Sequence, residues 1–296
     1  MLAGSMVALV TPMDADGSVN YADLGRLIDF HVAAGTEALI IAGTTGESAT
    51  LDHDEHLELL TVACQLAQRR IPIIAGTGSN STAQTLRLSQ EADQLAVDAF
   101  LLVTPYYNKP TQEGMYQHFR TIADAVHRPI ILYNVPARTG VDLKPETVIR
   151  LASHPNIRSI KEATGDLARV DVLKEGCGPD FCLLSGDDAT ACAFMLRGGH
   201  GVISVTANIA PKAMRALCDA ARAGRRAEAE RIDATLQPLH QKLFLESNPI
   251  PVKWAVAQMG LIGPGIRLPL TALAARYHRD VLAAMHAGGV EPKRRA

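Results

Sequence analysis

Eight short apolar runs punctuate the chain, at 5–13, 37–46, 72–78, 99–106, 129–136, 157–163, 182–186 and 201–207. Most are near-continuous in apolar character, with little alternation of hydrophobic and polar positions. A strand open to water on one face alternates, whereas a strand of a parallel sheet is covered on both faces and reads as an unbroken hydrophobic stretch. Between the runs the period changes. Over 21–34, Leu24, Leu27, Ile28 and Val32 form one stripe at helical spacing, and Gly35 stands where such a helix would stop. The stretch 53–69 carries Leu57, Leu60, Val62, Cys64 and Leu66, and 81–95 opens on Ser81, a residue type that caps helices. This strand–helix alternation, eight times over, predicts an α/β fold of the (β/α)8 TIM-barrel type. A doubly wound open sheet of six strands competes, but it would leave two runs unused.

After the eighth run the chain turns helical, with helical patterns at 211–223, 225–245, 252–259 and 271–287. The expected division is a catalytic barrel over 1–224 and a C-terminal helical region over 225–296, more than one closing helix needs and suited to contacts between subunits.

Composition narrows the picture. Of 296 residues 47% are hydrophobic, 20% charged and only 4% aromatic, so the core rests on Ala, Leu, Val and Ile. A net charge of −2 gives no electrostatic footprint for nucleic acid; the terminal Lys293-Arg294-Arg295 is the one basic block. No apolar run approaches the roughly 18–20 residues that span a bilayer. The N-terminal stretch 1–13 lacks a basic flank and a small-residue cleavage site, so it reads as a first strand and not a signal peptide. Five cysteines without CxxC spacing fit a reduced, cytoplasmic protein.

In a barrel the reactive groups sit past the C-terminal ends of the strands. Those positions here hold Gly43-Thr44-Thr45-Gly46-Glu47, Gly76-Thr77-Gly78-Ser79-Asn80, Thr104-Pro105-Tyr106-Tyr107-Asn108, Tyr133-Asn134, Lys161-Glu162 and Ser185-Gly186-Asp187. Lys161, inside an apolar run, reads two ways: a strand-end lysine that reaches water or pairs with a carboxylate, or a desolvated amine that attacks a carbonyl. The Gly43–Gly46 turn is either a capped βα turn or an anion cradle, and it is too short, and lacks the lysine, for a nucleotide P-loop. Tyr133 and Tyr107 are packing residues or proton carriers; Arg138 is a surface residue or a carboxylate clamp. His53 and His56, spaced i,i+3 among acids, sit where acidic residues favour a helix start, and no HExxH or His-x-His pattern makes them metal ligands. No metal and no cofactor is expected.

Taken together, Gly-Thr-Thr-Gly-Glu at 43–47, Tyr-Tyr-Asn-Lys-Pro at 106–110, Tyr-Asn-Val-Pro-x-Arg-Thr-Gly at 133–140, Ile-Lys-Glu-Ala-Thr-Gly-Asp at 160–166 and Gly-Val-Ile-Ser-Val at 201–205 are far more specific than any one motif. With Glu246-Ser247-Asn248-Pro249-Ile250-Pro251-Val252-Lys253 in the tail, the chain resembles the dihydrodipicolinate synthase family of pyruvate-dependent class I aldolases over nearly its whole length. The resemblance implies that Lys161 forms an imine with pyruvate, whose enamine adds to L-aspartate 4-semialdehyde, and that the product cyclises off the lysine. It implies a proton relay of Tyr133, Thr44 and Tyr107, a pyruvate-carboxylate site at Thr45 with Ile203 and Gly186 alongside, and Arg138 on the semialdehyde carboxylate. It also implies a homotetramer in which Tyr107 enters the neighbouring subunit's site. L-lysine would bind away from the barrel mouth, at Ser48, Ala49, His53, His56, Asn80, Gln84 and Tyr106. Gln84 stands where lysine-sensitive members carry a glutamate, so feedback is expected to be weak. The nearest rival is N-acetylneuraminate lyase or another sugar-acid aldolase; Arg138 and the Thr44-Thr45 pair argue for a shorter, carboxylate-bearing aldehyde. A non-catalytic barrel acting as a small-acid sensor would not need Lys161 backed by two tyrosines.

Overall fold

The computed structural model describes residues 2–293, which leaves Arg294 and Arg295 of the terminal basic block outside the described residues. Eight strands, β1 (Gly4–Ala8), β2 (Ala38–Ile41), β3 (Ile73–Gly76), β4 (Ala99–Val103), β5 (Ile130–Asn134), β6 (Ile157–Glu162), β7 (Cys182–Ser185) and β8 (Gly201–Ser204), close into a parallel barrel in sequence order. The expected TIM barrel is what forms, and the open sheet is excluded by the β1–β8 ladder, which pairs Met6 with Ile203. Each strand is shorter than its apolar run, because the ends of the runs leave the ladder and become the loops at the mouth.

The continuous hydrophobicity of the runs follows from two apolar layers. Met6, Ala8, Ile40, Ile74, Leu101, Ile131, Leu184 and Ile203 fill the barrel interior. Their chain neighbours Val7, Leu39, Ile73, Phe100, Leu102, Leu132, Leu183 and Val202 pack outward against the helices. The helices of the ring include α1 (Tyr21–Ala34), α2 (His53–Ala67), α3 (Thr82–Ala92) and α4 (Gln112–Ala123), then the single turn α5 (Pro136–Thr139), α6 (Pro145–Ala152), α7 (Ala168–Cys177), α8 (Ala191–Leu196) and α9 (Pro211–Arg222). Local chemistry sets their ends: Gly35 closes α1 in the left-handed conformation at φ 75, and the side chains of Asp52 and Ser81 accept from Glu55 and Gln84 amides to cap α2 and α3.

The tail forms α10 (Arg226–Lys242), α11 (Ile250–Gln258) and α12 (Ala275–Ala287). Helix α11 begins two residues earlier than its hydrophobic pattern suggests, because Pro251 is tolerated in a first turn, where its missing N–H has no partner to lose. Among the described residues no helix is long and apolar enough to cross a membrane.

Candidate active site

The β5–β6 ladder sets Tyr133 directly beside Lys161. Both lie on the interior-facing register and both are buried, 6% and 5% exposed. The Lys161 ammonium nitrogen lies 4.2 Å from the centre of the Tyr133 ring. Among the described residues Lys161 enters no ion pair, so the reading in which it merely pairs with a carboxylate fails. Gly186, just past β7, makes room for it: a Cβ there would stand 3.0 Å and 3.1 Å from Cγ and Cε of Lys161. Ile203 fills the adjoining interior from β8.

The residues next in sequence point the other way and lock the strand ends. Asn134 donates to Asp142 (2.8 Å) and to Glu162 (3.2 Å), and its side-chain oxygen accepts from the Leu143 amide. Arg169 bridges Asp142 (3.0 Å) and Glu162 (3.1 Å) and donates to the Leu143 carbonyl. Burial pushes the Glu162 carboxyl above its ordinary range, against the pull of Arg169. This network ties the ends of β5 and β6 together, which fixes Tyr133 against Lys161.

The Gly43–Gly46 turn folds on itself: Gly46 N–H and Ser48 N–H donate to the Gly43 carbonyl and Glu47 N–H to that of Thr44. The amides of Thr44 and Thr45 take no part in those bonds. Glu47, at φ 57, turns its carboxylate into the protein, where it pairs with Lys253 of α11 and accepts from the Arg267 amide. Both partners of the pair are buried, and burial pulls the Lys253 ammonium below its ordinary value while Glu47 opposes the fall. Removing one partner of such a pair typically costs about 3–5 kcal/mol. Asn248, in the loop before α11, donates its side-chain N–H to the Thr45 hydroxyl (2.9 Å), and its carbonyl accepts from Arg138 (3.1 Å). Sequence reasoning assigned no role to Asn248, Glu47 or Lys253; the motif at 43–47 and the tail run at 246–253 were the only signals, and the partners lie about 200 positions apart.

A groove of about 750 Å³ opens beside this mouth, and its lining includes Thr44, Val135, Arg138 and Asn248 together with Ser48, Ala49, His53, His56, Gln84 and Tyr106. Most residues expected to bind lysine away from the mouth therefore share one concavity with Thr44 and Arg138, because the 3-10 turn at Ser48–Thr50 follows Thr45 after only Gly46 and Glu47. Asn80 does not line the groove; its carbonyl accepts from Asn108. His56 is tied to the Gly76 carbonyl (2.9 Å), and burial pushes its pKa down to about 4, so it is neutral. His53 pairs with Glu91, which also takes Arg87, and the Gln84 side-chain oxygen accepts from Ser79 (3.1 Å). Among the described residues no group of three His, Cys, Asp or Glu side chains is arranged to hold a metal.

Tyr107 stands apart. It is 88% exposed on a backbone at φ 74, and no hydrogen bond among the described residues joins the hydroxyls of Tyr107, Thr44 and Tyr133. Lys161, Tyr133, Gly186 and Ile203 thus share the barrel mouth, Thr44 and Arg138 line the groove with Thr45 behind them on Asn248, and Tyr107 lies exposed.

Residues 1–287 match the family described as "Dihydrodipicolinate synthetase family". The chain is 58% identical, over 98% of its length and 99% of the relative's, to a 4-hydroxy-tetrahydrodipicolinate synthase of Thioalkalivibrio sulfidiphilus. Among solved structures it is similar to the chloride-inhibited dihydrodipicolinate synthase of Acinetobacter baumannii complexed with pyruvate, with a TM-score of 0.97 and 51% identity over 98% of this chain and 100% of that one. A dihydrodipicolinate synthase of Cyanidioschyzon merolae with lysine bound superposes with a TM-score of 0.94 at 39% identity, covering 97% and 98% of the two chains.

Proposed function

The chain belongs to the dihydrodipicolinate synthetase family, and from that premise we propose how its barrel mouth performs the condensation of pyruvate with L-aspartate 4-semialdehyde. The product is 4-hydroxy-tetrahydrodipicolinate, and the step commits carbon to the diaminopimelate route to L-lysine. The neutral amine of Lys161 attacks C2 of pyruvate and expels water to form an imine. Loss of a methyl proton gives the enamine, whose carbon adds to the aldehyde. The amino group of the second substrate then attacks the imine carbon, closes the ring and releases Lys161. Tyr133 is the nearest acid and base for these transfers, and a site that excludes bulk water needs such a carrier. The free Thr44 and Thr45 amides receive the pyruvate carboxylate, Ile203 and Gly186 shape its pocket, and Arg138 clamps the carboxylate of the aldehyde.

One observation carries this reading: a buried lysine without a carboxylate partner, held 4.2 Å from a buried tyrosine ring at a barrel mouth. The sugar-acid lyase reading is not favoured, since the full-length relatives at 58% identity bear the synthase name. The exposure of Tyr107 supports a homotetramer in which it completes the relay of a neighbouring subunit. The groove at His53, His56 and Gln84 supports weak feedback by L-lysine. A cytoplasmic location accords with five free cysteines.

Borohydride reduction in the presence of pyruvate tests the nucleophile. A single adduct on Lys161 is expected, with none in Lys161→Arg, whose guanidinium stays protonated. An adduct mapped to Lys109, Lys144 or the buried Lys253 overturns the assignment.

A further inference from the structure

A peptide group is planar and trans, so whatever holds its carbonyl also aims the N–H on its other side. The Thr44 N–H shares a peptide with the Gly43 carbonyl, which accepts from the amides of Gly46 (3.0 Å) and Ser48 (3.3 Å). The Thr45 N–H shares one with the Thr44 carbonyl, which accepts from the Glu47 amide (3.1 Å). Two of those three donors, the Glu47 and Ser48 amides, flank the Cα of Glu47, so the φ and ψ of Glu47 set how they reach. These angles are 57° and 35°, a left-handed conformation that costs any residue with a Cβ and falls by default to glycine. A glutamate stands there instead. Its side chain, 1% exposed, is engaged by the Lys253 ammonium and accepts from the Arg267 amide (3.2 Å). The Lys253 side chain is 3% exposed, and its ammonium has no other partner among the described residues.

We infer that Lys253 is a positioning residue for the oxo acid: through Glu47 it holds the turn in the conformation that aims the Thr44 and Thr45 amides at the carboxylate of pyruvate. The inference rests on the proposed seat of that carboxylate and deepens it. Lys253 acts from α11, so the helical tail takes part in building the receptor for the first substrate. The pair has a second effect. A carboxylate two residues from Thr45 would repel an incoming anion if it lay free in the groove, and Lys253 both withdraws and neutralises it. Neither side chain needs to touch the substrate for this; the ammonium acts on the carboxylate, the carboxylate on its own backbone, and the backbone on the two amides.

The test follows borohydride trapping of Lys161 against ketone concentration, with pyruvate and with hydroxyacetone, which offers a ketone without a carboxylate. Lys253→Met keeps the length of the side chain and removes the ammonium. It is expected to raise the pyruvate concentration for half-maximal trapping about 10- to 100-fold, the scale of a lost hydrogen bond to a charged group, and to leave trapping by hydroxyacetone within about threefold of the wild type. That variant buries Glu47 without a partner, so the double variant Glu47→Gln with Lys253→Met, which removes both charges, is the second arm. Its urea midpoint is expected to return close to that of the wild type, while its trapping by pyruvate stays weaker by about tenfold or more. A pair that only supports the fold would weaken both ketones alike in the single variant and would restore pyruvate in the double one. Either result overturns the inference, and should Lys253→Met fail to fold, the double variant decides alone. A wild type that traps hydroxyacetone as readily as pyruvate sinks the proposed carboxylate site itself, whereas a preference for pyruvate that survives in the variants sinks only the role of Lys253.

Discussion

Adding one methyl group at Gly186 tests whether the position of Lys161 is set by the empty space beside it. The Gly186 backbone is not in the left-handed region, so alanine is excluded by contact and not by conformation. The new Cβ would meet Ala163 Cβ at 2.7 Å and the Lys161 stem at 3.0 Å and 3.1 Å. Overpacking of that kind costs about 1–3 kcal/mol. The lysine stem has little room to yield, since the Tyr133 ring lies close to its nitrogen, so the strain shifts the amine out of line with its acid. A displacement of about 1 Å in a reacting group costs on the order of 10²-fold in rate. Gly186→Ala is therefore expected to lose about 10²-fold in turnover and to form the borohydride-trapped adduct correspondingly slowly. The double variant Gly186→Ala with Ala163→Gly separates the two contacts. It removes the shortest one, so most of the stability lost in urea unfolding should return, while the rate deficit persists because the contacts to Lys161 remain. Wild-type turnover and trapping in Gly186→Ala would refute the reasoning, and so would recovery of rate in the double variant.

The lysine groove and the buried histidines give two further tests. Gln84→Glu adds a charge to the groove, whose His53 and Arg87 are held by Glu91, so half-inhibition by L-lysine should move to about 5- to 30-fold lower concentration; wild-type inhibition at micromolar lysine, or no response in either protein, contradicts this. Burial lowers the pKa of His31 to about 3 and of His56 and His118 to about 4, so each binds a proton in the unfolded chain near pH 6.5 but not in the fold. Their stability contribution is complete above pH 6.5 and falls by about 4 kcal/mol per pH unit for the three together as pH drops toward 4. Urea midpoints at pH 7.5 and 5 read it, His31→Gln should flatten the slope, and a pH-independent midpoint refutes the burial argument.

The barrel was legible because burial on both faces writes itself as an unbroken apolar run, and Lys161 because a charge inside such a run is anomalous. Which neighbour faces inward was not legible, since Leu39 and Ile40 look alike in sequence while one packs on helices and the other fills the barrel. Gly186 read as part of a polar loop; its reason is a distance to Lys161, which no local pattern encodes. The tail is the larger gap. Helix α11 is buried nearly all round, so its hydrophobicity showed a helix without showing what it packs on. Its polar residues, Asn248 and Lys253, acquire meaning only from Thr45, Arg138 and Glu47 on the far side of the chain. The expectation that the tail serves contacts between subunits passed over its part in the mouth.

The distribution of cations around that mouth explains why its chemistry falls where it does. Lys253 is neutralised by Glu47, Arg169 by Asp142 and Glu162, and Arg267 by Glu55, each in a pair that is wholly or largely shielded from water. These cations build the frame and have no charge left to offer. Lys161 and Arg138 differ in having no carboxylate partner among the described residues. Their environments then separate their roles. Lys161 is buried against the Tyr133 ring, where an amine can act as a nucleophile. Arg138 is exposed at the rim and held only by the Asn248 carbonyl, and its guanidinium stays charged and can clamp a carboxylate. A buried amine and an exposed guanidinium at one mouth match what a reaction between an oxo acid and an amino aldehyde requires.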